Sequence, residues 1–89
     1  DQIVKCKALR NAHRVLIVWL LTEKEMTIDD IALVIGTTRQ NAARHLNVLE
    51  FNSFVKSRQG KQQILYSIAD NEWAQNCMVF RNKPENIKT

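Results

Sequence analysis

The segment Thr38-Arg39-Gln40-Asn41-Ala42-Ala43-Arg44-His45 carries the side chains of this sequence best suited to hydrogen-bonding chemistry. Its arginines and short amides fall on one face at helical spacing, continued by Asn47, while Ala42, Leu46 and Leu49 fall on the other. An arginine fork matches the O6 and N7 atoms of guanine, and a Gln or Asn amide matches N6 and N7 of adenine. Thr38 suits a helix cap that also donates to phosphate. The chemistry on offer is recognition of base edges and backbone in a major groove. His45 adjoins Leu46, so packing and phosphate contact both remain open for it.

Charge points to the same stretch. Residues 38–63 hold Arg39, Arg44, Lys56, Arg58 and Lys61 against one acid, Glu50, a net +4. Residues 1–37 balance at five basic and five acidic, and residues 64–89 at three and three. All of the net +4 of the chain is therefore concentrated in one region. Focused positive charge beside polar side chains suits nucleic acid. Arg58, Lys61 and Gln62 sit around Gly60 in a polar stretch that reads as a hairpin tip directed at phosphate or a minor groove.

Composition narrows the alternatives. With 89 residues, 45% of them hydrophobic, residues 1–89 read as a single small domain. A domain of this size buries only about 60–65% of its unfolded surface, which favours dimerisation. The longest apolar run, Val15 to Leu21, is seven residues, whereas a membrane span needs about 20. Asp1-Gln2 is followed by only short apolar stretches, unlike a secretion signal, and a cytoplasmic protein with no membrane partner is expected. Cys6 and Cys77 lie 71 positions apart, too far apart in sequence and too few for a clustered zinc site. No metal, cofactor or catalytic set is expected. Asp29-Asp30 is the only pair of adjacent acids, and glycine is too scarce for a phosphate loop.

The elements that must position these residues can be read from caps and periodicity. Ile3, Val4, Cys6, Ala8 and Leu9 suggest a first helix ending near Arg10. Asn11 caps a second, to about Thr22, with Val15, Leu16, Trp19 and Leu20 inward. Thr27 caps a third, with Asp29 and Asp30 in its first turn and Gly36 closing it. Thr38 caps a fourth, to about Phe51. After Asn52-Ser53 the period changes to two, giving strands 54–58 and 64–68 around the turn 59–62. A fifth helix covers about 70–80, and residues 81–89 read as a frayed tail. The expected fold is mostly α with a small β-hairpin: a winged helix-turn-helix of about five helices and a two-stranded wing.

This order and several of its residues resemble the ArsR family of small dimeric transcriptional repressors. Lys7-Ala8-Leu9-Arg10-Asn11-Ala12-His13-Arg14 is similar to the family's opening, Gly36 to Leu49 to its recognition segment, and Ile64 to Ile68 to its second wing strand. The resemblance implies a homodimer that binds an imperfect palindrome of double-stranded DNA. It places the dimer interface on the first and last helices, where Ile3, Cys6, Trp73, Cys77 and Phe80 form apolar stripes. Thr27 and Asp29 stand where metal-sensing members carry a Cys-x-Cys pair, and no His follows His45. Some members respond to persulfides or oxidants through two cysteines on the second and last helices. Cys77 falls on the last, and Cys6 precedes the second, so two reduced, packed thiols is the leading reading of Cys6 and Cys77 and a redox pair the alternative. The rival expectation is a winged helix used as a protein-interaction module without sequence-specific DNA binding.

Overall fold

In a computed structural model, the structure describes residues 7–69. Lys7–Arg10 forms a turn of 3-10 helix and is followed by α1 (Ala12–Leu21), β1 (Met26–Thr27), α2 (Ile28–Ile35), α3 (Arg39–Phe51), β2 (Val55–Gln59) and β3 (Ile64–Ile68). Each helix begins where a short polar side chain can satisfy its first amides. Asn11 accepts from the amide of His13 (2.9 Å), Thr27 from that of Asp30 (3.2 Å) and Thr38 from that of Asn41 (3.0 Å). Gly36 closes α2 at φ 74, in the left-handed region where a Cβ is strained. Ser53 adopts φ 65 after α3 and turns the chain into the sheet.

The three helices pack on one face of the sheet around a single core. Ile17, Leu20, Ile31, Leu46, Leu49 and Phe54 are completely buried within it. Helix α3 contributes Ala42, His45, Leu46 and Leu49, which sets its roll and turns Gln40, Arg44 and Asn47 outward. Burial of one such aliphatic or aromatic side chain contributes roughly 1.5–3 kcal/mol, so the roll is strongly determined.

The structure corrects the sequence-based expectation in three places. The wing belongs to a three-stranded antiparallel sheet of order β1-β3-β2, in which Met26 pairs with Tyr66 and Thr27 with Leu65. Two residues are too few to show alternation, so β1 is defined by its distant partner alone. Ahead of α1, Leu9 takes φ −95, ψ 17, outside regular helix, so Lys7–Arg10 is a 3-10 turn. In α1 the buried face is Ile17, Val18, Leu20 and Leu21, with Leu16 and Trp19 half-buried. An unbroken apolar run contains no polar residue to mark its phase. Among the described residues there are three α-helices. The part of the first helix before Lys7 and the helix expected at 70–80 lie outside them. The strands start at Val55 and Ile64, and their turn is closed by Gly60 N–H donating to the Gln63 carbonyl at 2.7 Å.

Gly36 provides a test of this geometry, because a Cβ there meets nothing within 4 Å and only the backbone angle resists substitution. Gly36→Ala should cost about 1–2 kcal/mol in urea unfolding. Gly36→Asn should recover most of that loss, since Asn tolerates the left-handed region. Equal destabilisation by the two would mean that the φ of residue 36 is not the constraint.

Candidate nucleic-acid interface

Helix α3 presents an outer stripe of Gln40, Ala43, Arg44 and Asn47, in which Ala43 is half-exposed and the others are exposed. No acid interrupts it. Glu50, at the far end of α3, accepts a hydrogen bond from Ser57 Oγ at 2.9 Å and is held against β2. A groove of about 420 Å³ runs between the start of α2, Arg39 and the wing. Asp29 and Arg39 line one side, and Gln59, Gln62 and Gln63 the other. The start of α3 and the hairpin therefore share one groove. Lys61 and Gln62 are exposed at the hairpin turn.

The remaining expected contact residues are placed differently. Arg39 Nε donates to Asp29 Oδ1 at 2.9 Å, and both side chains are about two-thirds exposed (68% and 67%). Only its Nε is used. The Asn41 side-chain amide donates to Thr37 Oγ1 at 2.8 Å, bracing the turn between α2 and α3. Thr38 caps α3, and its oxygen accepts from the Asn41 amide. Arg58 donates through Nε and Nη2 to both oxygens of Glu25, each at 2.8 Å. That hydrogen bond holds the Glu25 carboxyl below its ordinary value, with the charges of Arg58 and Lys56 adding to it, while Arg58 is raised. Two of the five cations in the basic stretch are thus paired with acids from the segment that looked neutral. The sequence carries no local signal for either pairing, because the partners lie 10 and 33 positions apart.

His45, for which packing and phosphate contact were both open, lies in the core. It is buried, its Nδ1 accepts from Arg14 Nε at 3.2 Å, and its ring meets that of His13 edge-on with centroids 5.6 Å apart. An Nδ1 acceptor requires the neutral ring with its proton on Nε2. Burial lowers the His45 pKa, and the charges of Arg14, His13 and Arg44 lower it further.

Thr27 and Asp29, which stand at the metal-ligand positions of the family resemblance, cap α2 and pair with Arg39 respectively. Among the described residues no group of three or more His, Cys, Asp or Glu side chains gathers as a metal site. No helix among them is long and apolar enough to cross a membrane. The expected interface residues Ile3, Cys6, Trp73, Cys77 and Phe80, and with them the Cys6–Cys77 pair, lie outside the described residues.

Comparison with known proteins agrees with this architecture, although no family profile matches the chain. The solution structure of Mb0332 from Mycobacterium bovis has a TM-score of 0.75 and 30% identity, covering 84% of this chain and 70% of that one. It is described as a homodimeric winged helix-turn-helix DNA-binding domain of a possible ArsR-family transcriptional regulator. The transcriptional repressor BigR from Xylella fastidiosa superimposes with a TM-score of 0.78 at 25% identity, over 89% of this chain and 76% of that one. The transcriptional regulator KmtR of Mycobacterium tuberculosis is 26% identical over 73 residues, 82% of this chain. Those residues are 55% of KmtR, so the chain spans about half the length of the curated relative it matches. The chain belongs to the ArsR family of winged helix-turn-helix transcriptional regulators.

The lowered pKa of His45 has a consequence for stability. The ring is neutral in the folded state, and the unfolded chain takes up a proton near the ordinary value of 6.5. The stabilisation is complete above that pH and is lost as pH falls from there through the lower folded value. Unfolding midpoints should drop between pH 7.5 and 5.5 in the wild type, and His45→Gln should flatten that part of the profile. A His45→Gln profile that still falls as steeply would assign the titration to another group.

Proposed function

We propose that this protein is a homodimeric, sequence-specific DNA-binding regulator, acting as a repressor. The observation that carries the reading is the acid-free outer stripe of α3, on a helix whose first residue, Arg39, shares a groove with the wing residues Gln59 and Gln62. Gln40, Arg44 and Asn47 read base edges, and Ala43 lets the helix approach and offers its methyl to a thymine. Arg39 reaches DNA through its Nη atoms while Asp29 holds its Nε. Thr38 and Lys61 contact phosphate, and Gln62 lies at the same turn. The description of Mb0332 as a homodimeric DNA-binding domain supports the reading, as does the name of BigR as a transcriptional repressor. The alternative, a winged helix that binds only protein, is disfavoured by a face rich in amides and cations.

Base and backbone roles separate in a binding experiment. Gln40→Ala should cost about 1–3 kcal/mol on the operator and relax specificity at one base pair, with little effect on random DNA. Lys61→Ala should weaken operator and random duplex alike and reduce the salt slope by about one unit per contact. Equal losses from Gln40→Ala on both duplexes would remove α3 from base reading.

Assembly through Ile3, Cys6, Trp73, Cys77 and Phe80 completes the proposal, on an imperfect palindrome whose half-sites lie about 34 Å apart. A two-fold interface uses the same patch twice, so one substitution acts on both sides. Trp73→Ala should shift sedimentation toward monomer and weaken operator binding. An intact dimer would place the interface elsewhere. In this reading any thiol signal passes through Cys6 and Cys77, the only cysteines in the chain.

A further inference from the structure

Arg58 and Arg39 are both paired with acids, but not in the same way. Asp29 takes one N–H of Arg39, whereas Glu25 takes Nε and Nη2 of Arg58 together, at 2.8 Å each. The geometry of the second pair is that of a bidentate fork, the arrangement Arg would make with a phosphate. Strand order places Arg58 on β2 and Glu25 just before β1, with β3 between them. Thr27, Leu65 and Arg58 lie in one cross-strand row, so the Arg58 side chain crosses β3, about two spacings of 4.8 Å, to reach Glu25. Lys56, two residues before Arg58, shares that face of the sheet, and its charge also acts on Glu25.

We propose that Glu25 is an intramolecular competitor for DNA phosphate, holding the wing arginine Arg58 in a carboxylate clamp that keeps it off the duplex backbone. The inference rests on the DNA-binding reading above. The pair lies at the surface, with 58% of the Arg58 and 37% of the Glu25 side chain exposed. Exposed pairs are weak and screened by salt, but exchanging the carboxylate for a phosphate would leave Glu25 as an unpaired charge beside the duplex. The pair therefore stays closed on DNA, at a loss of one contact felt equally by every DNA sequence. The clamp thereby lowers the floor of sequence-independent affinity. Base contacts from Gln40, Arg44 and Asn47 lie elsewhere on the surface and are unaffected.

The test is fluorescence anisotropy with a random-sequence duplex and an operator duplex, across a salt series, on the full chain. Glu25→Gln should tighten the random duplex about tenfold near 0.1 M salt and steepen the slope by about 0.9 per wing, the value of one added phosphate contact. Arg58→Ala should weaken the wild type less than it weakens Glu25→Gln, and it should abolish the gain in the Glu25→Gln background. Asp30→Asn removes an exposed acid in the first turn of α2 that makes no ion pair among the described residues, and it should give a smaller gain that survives Arg58→Ala. If Arg58→Ala weakens the wild type as much as it weakens Glu25→Gln, Arg58 already contacts phosphate and the clamp is refuted while DNA binding stands. If Asp30→Asn reproduces the whole Glu25→Gln effect, bulk charge explains it and the clamp is likewise refuted. If the wild type binds neither duplex at low salt, the DNA-binding reading fails, and this inference with it.

Discussion

Thr27 ends strand β1 and caps helix α2, and the sheet and the helix-turn-helix are joined through it. Its backbone pairs with Leu65 in the sheet, while its side-chain oxygen accepts from the Asp30 amide. Thr27 is itself buried. Two residues before it stands Glu25 and two after it Asp29, and these acids hold the wing arginine and the recognition-helix arginine respectively. Five consecutive residues thus organise both halves of the outer surface. No linker separates β1 from α2, so one residue, Thr27, takes part in both the sheet and the helix-turn-helix.

Much of the helical architecture was legible because its signals are local. Asn11, Thr27 and Thr38 cap the helices they were expected to cap, and Gly36 ends α2 with a positive φ. The outer stripe of α3 was legible for the same reason, since Ala42, Leu46 and Leu49 mark its inner face by spacing alone. What failed was information carried by distant partners. Strand β1 exists because Met26 and Thr27 meet Tyr66 and Leu65, and nothing in two residues announces that. His45 was ambiguous until Arg14, 31 positions earlier, was seen to occupy its Nδ1. The charge partition failed in the same manner. The block 38–63 is a unit in sequence, whereas in space Asp29 and Glu25 fold against it.

The interactions divide by strength in a way that suits recognition. The inward side of α3 is held by fully buried contacts, each large on the scale of the stability of a small domain. The outward side is held by exposed ion pairs, which are worth about 0–1 kcal/mol and weaken with salt. A ligand that meets the outer surface can therefore rearrange its side chains without disturbing the roll of the helix that carries them. Position is kept by the strong contacts, while adjustment is left to the weak ones.

The Arg14–His45 contact crosses that division. It is a polar link in a mostly apolar core, joining the first turn of α1 to the middle of α3. The geometry holds only for neutral His45, since a protonated Nδ1 has no lone pair to accept the Arg14 N–H. Charging the ring would also set it against Arg14, His13 and Arg44, the same groups that lower its pKa. The buried apolar contacts set the roll of α3, and the hydrogen bond from α1 adds a directional restraint to it. That bond ties the roll of the recognition helix, and with it the aim of Gln40, Arg44 and Asn47, to the helix that follows directly on the N-terminal segment where half of the expected dimer interface lies.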